Sequence, residues 1–269
     1  MVKSIPFVWL SFTTVLTAAE SKVLTIDGST GVMPLVRELV VPFEKAQPDF
    51  KITMGKGWSS KTRLQALADG KMDIAMASHG LDEDTLKKLE LTPHLFAKMA
   101  VVFAVHSSVP LKNLTIPQLA AIYRGDINNW SEVGGPDLPI KRLMRPEDEV
   151  DTEILRAQIP EFKKIQWAER TLIFQSSGDL ARNLNKTIGG IGITTRVRAD
   201  QGGQTSTIMI DGIEPTESNI MNGTYTLTRN SYLVTPNQPS EMVSAFLSFL
   251  KEKSARDAIR NSKAIPFSN

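Results

Sequence analysis

The stretch that decides the fold is Val23-Leu24-Thr25-Ile26-Asp27-Gly28-Ser29-Thr30-Gly31, an apolar run that breaks into a Gly- and hydroxyl-rich turn. Val23 to Ile26 reads as a short strand. Behind the turn, Val32, Leu35, Val36, Leu39, Val40 and Phe43 recur at spacings of three and four, the stripe of a helix with one buried face. Pro34 suits a first turn, whereas Pro42 predicts a kink or an early end. Phe50 to Met54 is a second strand, and Gly57-Trp58-Ser59-Ser60 turns the chain into a helix marked by Leu64, Leu67 and Ala68. Asp69-Gly70 stops that helix, and Met72 to Ala77 makes a third strand. Strand, helix, strand, helix, strand is the order of a mostly parallel sheet covered by helices, so the class is α/β.

The alternation continues outward from this unit. Ala100 to Val105 is an apolar strand, and Thr115 caps a helix carrying Leu119, Ile122 and Tyr123. A loop spans Gly125 to Pro136, and Ile188 to Thr194, Ile208 to Ile210 and Tyr232 to Thr235 read as strands. A helix starts at Ser240 with Val243, Phe246, Leu247 and Leu250 inward, and Ser254 with Asp257 reads as a capping pair opening another. There is no internal repeat and no low-complexity linker. A mature chain of about 250 residues has the length for two lobes of ordinary domain size, and two lobes without a linker point to a chain that crosses between them more than once.

The start of the chain has the layout of a secretory signal. Lys3 precedes an apolar run from Ile5 to Leu16, followed by Thr17, Ala18 and Ala19. That run, about 12 residues, falls short of the ~20 needed for a membrane-spanning helix. Residues 1–21 are therefore expected to be a signal peptide, cleaved between Ala19 and Lys22, on a protein exported to the periplasm. No Cys is present, which excludes a lipid anchor on Cys, thiolate catalysis and Cys-ligated zinc. The three His, at 79, 94 and 106, have no metal-ligand spacing, so neither a metal nor a cofactor is expected. The net charge of +2, with bases and acids interleaved, argues against a nucleic-acid partner.

Small hydroxyl residues recur just after strands and just before helices. Ser29-Thr30-Gly31 does this first, Ser59-Ser60 second and Asp151-Thr152 third, while Ser78 ends the third strand. Helix N-termini leave backbone N–H groups unpaired and favour negative charge. Several converging on one crevice at the carboxyl ends of a sheet would bind an anion through N–H and hydroxyl donors. Ser and Thr are also ordinary N-caps, so one such turn alone is a structural device. The recurrence specifies an anion or nucleotide site and no more; no turn ends in the Gly-Lys-Ser/Thr of a phosphate-cradling loop.

Taken in order, these segments resemble the phosphate-binding proteins that serve ABC transporters. The resemblance is carried by Gly28-Ser29-Thr30, by Gly57-Trp58-Ser59-Ser60-Lys61-Thr62 and by Asp73-Ile74-Ala75-Met76-Ala77-Ser78. Asn129-Trp130-Ser131-Glu132-Val133-Gly134-Gly135, Arg145-Pro146-Glu147, Ile191-Gly192-Ile193 and Ile210-Asp211-Gly212-Ile213-Glu214-Pro215 follow. It covers the chain from Leu24 to the end. It implies a two-lobed type II periplasmic-binding-protein fold with the ligand cleft between the lobes. Lobe one is expected at 22–105 and 229–269, lobe two at 106–228. It further implies a monomer that captures a small inorganic oxyanion, phosphate, and passes it to an ABC permease. The expected ligand-binding residues are Ser29, Thr30, Gly31, Ser59, Ser60, Ser78, Arg145, Asp151 and Thr152.

Three departures from the family pattern bear on the ligand. The family's Ser-Gly-Thr turn reads here as Glu149-Val150-Asp151-Thr152, Lys61 replaces a Gly, and His79 stands where Arg is frequent. Arg145 is the expected cationic partner, since a guanidinium holds two oxygens at once. Asp151 is the candidate acceptor for the proton of a monohydrogen oxyanion, although acids in a first helical turn also stabilise it without any ligand. Besides a binder of another oxyanion on the same fold, two rivals are a ligand sensor for a membrane regulator and an exported phosphatase. The second lacks a metal cluster or a nucleophile with a recognisable His base, so no enzymatic activity is expected.

Overall fold

The computed structural model describes residues 22–267 apart from Gly80 and Gly202; the predicted signal segment lies outside the described residues. β1 (Lys22–Gly28) leads through the Ser29 turn into α1 (Met33–Ala46), then β2 (Phe50–Met54), α2 (Arg63–Ala68), β3 (Ile74–Ala77) and α3 (Glu83–Lys88). β1 pairs parallel with β2 on one side and with β3 on the other, with Ile26 opposite Ile74. This is the parallel unit expected from the opening stretch.

Pro42 lies inside α1, which runs on to Ala46 without ending early. The following residue explains why. Phe43 is fully buried, and its ring centroid lies 5.0 Å from that of Phe246 and 5.4 Å from that of Phe249, both edge-on. Each such pair contributes about 0.5–1.5 kcal/mol beyond area burial, enough together to offset much of the hydrogen bond that proline removes.

β4 (Leu91–His106) is the longest strand and joins the two lobes. Its apolar half was legible; its first half was not, because Thr92, Pro93, His94 and Lys98 interrupt the run. The middle of the chain follows with β5 (Asn113–Leu114), α4 (Ile116–Arg124), β6 (Lys141–Met144), α5 (Val150–Gln158), β7 (Leu172–Ile173) and α6 (Ser177–Leu184). After these come β8 (Gly190–Thr195), α7 (Arg196–Gln201), β9 (Thr205–Thr207), β10 (Met209–Ile210) and α8 (Glu217–Met221). The chain returns on β11 (Thr228–Pro236) and ends with α9 (Glu241–Phe249), α10 (Lys253–Asn261) and β12 (Ile265–Pro266).

The sheet order is β2-β1-β3-β11-β4-β8-β6-β7. β4 pairs with β11 from Leu91 to Ala100 and with β8 from Val101 to Val105, so its partner changes between Ala100 and Val101. That changeover precedes the boundary expected after residue 105. One apolar core gathers Leu24, Leu35, Phe43, Leu233 and Phe246; a separate one gathers Phe103, Tyr123, Trp130 and Phe162. Val101 to Val105 are buried on both faces, which is why they read as a continuous apolar run.

Caps follow the sequence at some helices and depart from it at one. Thr115 and Gln118 form a reciprocal capping box on α4, and Ser240 accepts from the Val243 amide at the start of α9. The expected Ser254–Asp257 pair does not cap α10. Its N-cap is Glu252, and Asp257 instead forms an ion pair with Lys253 one turn earlier. Ser176, outside the expected caps, holds the start of α6 by accepting from the Asp179 amide.

Candidate functional site

The loop after β1 is held from three sides. Gly28 adopts φ +120°, and a Cβ there would collide with the Met76 backbone, so only glycine lets the turn lie against β3. The Ser29 amide then donates to the Met76 carbonyl at 2.8 Å, and the Trp58 amide to the Gly28 carbonyl at 2.9 Å. The Asp27 carboxylate accepts from the amides of Gly28 and Gly57 at 2.7 and 2.8 Å, tying the first loop to the second. Ser29 and Thr30 are thereby presented beside Ser59 and Ser60.

These loops border a cavity of about 680 Å³ between the lobes. Ser29, Thr30, Gly31, Ser59 and Ser60 line it from the first lobe, with Ser78 at the end of β3. Arg145 lines it from the second. Asp151 and Thr152 do not line the cavity. α5 opens at Glu149, so both lie inside its first turn, with their side chains turned into the protein. The Asp151 carboxylate accepts from Arg229 Nη1 at 2.7 Å, and the Thr152 hydroxyl donates to the Arg145 carbonyl at 3.1 Å. Their place in the structure is to brace the two arginines.

The acidic run is distributed among cations. Glu147 accepts from Arg156 and Trp167, Asp148 faces Lys61 across the cleft at 3.5 Å, and Glu149 pairs with Arg145 at 2.6 Å. Glu149 also stands 4.0 Å from His79 Nε2 and lines the cavity.

Three arginines in the wall carried no local signal. Arg63 opens α2, Arg198 lies in α7 and Arg229 in β11, and all three border the cavity. Arg63 and Arg198 donate to the carbonyls of His79 and Thr30. Burial, with the neighbouring charge of Arg229, brings both guanidinium pKa values down to about 10. His79 is lowered to about 4, chiefly by burial and then by the charges of Arg63, Arg229 and Arg145. The imidazole is therefore neutral at pH 7.

Many buried donors here have no partner within the protein. They include Ser78 Oγ, Nε and Nη1 of Arg145, Nε and Nη2 of Arg229, and Nε of Arg63. A buried unpaired donor carries a desolvation penalty of about 1–3 kcal/mol, more when charged. An anion in the cavity would relieve several at once. The Ser176-Ser177-Gly178 turn at the head of α6 also faces the cavity, and its Gly178 lies against Thr30 of the first lobe. Its Ser-x-x-Asp capping pattern was legible, but β7 before it is only two residues long, so no strand announced it. Among the described residues no group of three or more His, Asp or Glu side chains is placed to hold a metal ion.

Comparison with known proteins agrees with this architecture. The profile of the PBP superfamily domain matches residues 14–253, and the chain belongs to that family. It is 25% identical over 247 residues to the phosphate-binding protein PstS of Borreliella burgdorferi, covering 88% of each chain. It is 26% identical over 240 residues to PstS of Bacillus subtilis, covering 88% of this chain and 77% of that one. Among solved structures it is similar to a putative phosphate ABC transporter substrate-binding protein with bound phosphate from Clostridium perfringens. That similarity has a TM-score of 0.74 at 25% identity, over 92% of this chain and 100% of the other. A phosphate transport receptor from Vibrio cholerae, 26% identical, superposes with a TM-score of 0.60 over 90% of this chain and 99% of that one. The fold is thus the two-lobed type II binding-protein fold expected from the sequence.

Proposed function

We propose that this protein captures phosphate between its lobes outside the cytoplasm and delivers it to an ABC permease, without chemical change to the ligand. The observation that carries the reading is the set of unpartnered buried donors contributed by both lobes, Ser78 and Arg229 from one and Arg145 from the other. The names of the PstS relatives and of the phosphate-bound neighbour point to the same ligand. Hydroxyl and amide donors of the Ser29–Gly31 and Ser59–Ser60 turns complete the coordination, and Asp151 and Thr152 act behind it.

Capture proceeds by hinge closure. The lobes are joined at two places, within β4 near Ala100 and just before β11 near Leu227, and we assign the hinge to these crossings. A ligand that contacts both lobes stabilises the closed form by its differential affinity for that form. The closed form is the one a permease would recognise. Among the described residues no helix is long and apolar enough to cross a membrane.

Calorimetry with phosphate, arsenate, sulfate, molybdate and tungstate tests the proposal. Phosphate and arsenate should bind with one site per chain, and a chromogenic phosphate ester should not turn over. Absence of binding to all five anions would overturn the reading.

A further inference from the structure

The cavity carries far more positive charge than one phosphate can balance. Eight Arg and Lys side chains line it against three carboxylates, Asp148, Glu149 and Asp179, an excess of five positive charges. Asp151, behind the wall on Arg229, lowers that excess by one. A single phosphate supplies at most two negative charges near neutral pH, given a second pKa of about 6 for a phosphate group.

Arg229 lies close to both Arg63 and Arg198. Arg63 donates to the His79 carbonyl, and Arg145, already paired to Glu149, lies in the field of the same imidazole. On the side of Thr30, Arg198 donates to the Thr30 carbonyl, and Arg182 lies against Gly178 of the Ser177–Gly178 turn. Arg198 stands in the field of Arg229, Arg37 and Arg182. On that side the only carboxylate at the cavity wall, among the described residues, is Asp179, paired to the exposed Arg182. Arg198 Nε and the Nε and Nη2 of Arg229 are buried without partners. Arg229 is nine-tenths buried or more, with 4% of its surface exposed, so these donors have no solvent to turn to. Size agrees with charge. Four oxygens at roughly 30 Å³ each, the share of a water molecule, fill about 120 Å³. The cavity of about 680 Å³ leaves room beside such an ion.

We propose that the cleft holds a second anion subsite, formed by Arg198 and Arg182 beside the shared Arg229, so that a ligand with two linked phosphate groups is held more tightly than orthophosphate. This rests on the reading of the cleft as a phosphate site and extends it to the diphosphate class. Arg229 would bridge the two groups, with its Nη1 kept on Asp151 and its Nε and Nη2 turned to the ligand. Linking the groups matters because the second then binds at a high effective concentration set by the first.

Calorimetry with inorganic diphosphate and orthophosphate on the wild-type protein, Arg198→Met and Arg182→Met is the test. Diphosphate should bind at one per chain and at least tenfold more tightly than orthophosphate. Either substitution should lower the ratio of the two affinities. Arg182 is on the surface, so its variant remains informative if Arg198→Met does not fold. Orthophosphate binding as tight as or tighter than diphosphate would overturn the second subsite and leave the phosphate reading standing. Two orthophosphates per chain without a diphosphate preference would overturn the proposal in another way, by showing that no single diphosphate spans the two positions. Failure of both anions to bind would remove both readings together.

Discussion

Arg229 of β11 donates to Asp151 of α5 at 2.7 Å, and the two side chains are 1% and 2% exposed, so a fully buried ion pair joins the returning strand to the second lobe. Removing one partner of such a pair leaves a buried charge uncompensated, which destabilises by about 3–5 kcal/mol. Asp151→Ala should lower the unfolding free energy by about that amount in urea denaturation, in the absence of any ligand. An unchanged midpoint would show that Asp151 is not the counter-charge of Arg229.

Arg145 offers Nε and Nη1 to the cavity while its Nη2 is engaged by Glu149. A charge-assisted hydrogen bond contributes about 1.5–3 kcal/mol, so Arg145→Ala should weaken phosphate binding about 10- to 150-fold. Glu149→Gln should act in the opposite direction, because it removes a negative charge from the anion's side of the guanidinium. A partly screened pair contributes up to about 1 kcal/mol, so the gain should be up to about fivefold. Weaker binding in Glu149→Gln would instead make that carboxylate the acceptor of a ligand proton.

His79 titrates at about 4 in the folded protein against about 6.5 in an unfolded chain. Between these values the unfolded state holds more protons, so stability rises with pH. The contribution is present above about pH 6.5 and is lost as pH falls through about 4. A bound oxyanion adds negative charge beside the imidazole and should raise its pKa. Proton NMR of the His79 ring, titrated with and without phosphate, should show the bound form titrating at higher pH. Coincident curves would place the anion away from His79.

Gly31 lies against the Arg229 guanidinium so closely that a Cβ would collide with it. The guanidinium is held by Asp151 and has little freedom to retreat. Gly31→Ala should therefore weaken anion binding while the circular dichroism spectrum stays unchanged. The affected donors are charge-assisted, so the loss should be about tenfold or more. Wild-type affinity in this variant would remove Arg229 from the ligand's contacts.

The order of strands and helices around the Val23–Gly31 stretch was settled locally, by apolar periodicity and by turns rich in Gly and Ser. Those signals depend on which face of each element is buried, and they act within a few residues. For the same reason the sequence alone places Ser29, Ser60 and Ser78 at the mouths of their strands. The partner of each charge depended on tertiary structure. Asp151 looked available to a ligand because it stands in the turn that replaces the family's Ser-Gly-Thr; only the return of β11 brings Arg229 against it, from 78 residues away. Arg63, Arg198 and Arg229 sit in regular elements without a motif, and only the closing of one lobe on the other makes a single cavity of them. Periodicity records burial along one chain segment, whereas the field in a cleft is summed over segments that meet only when folded.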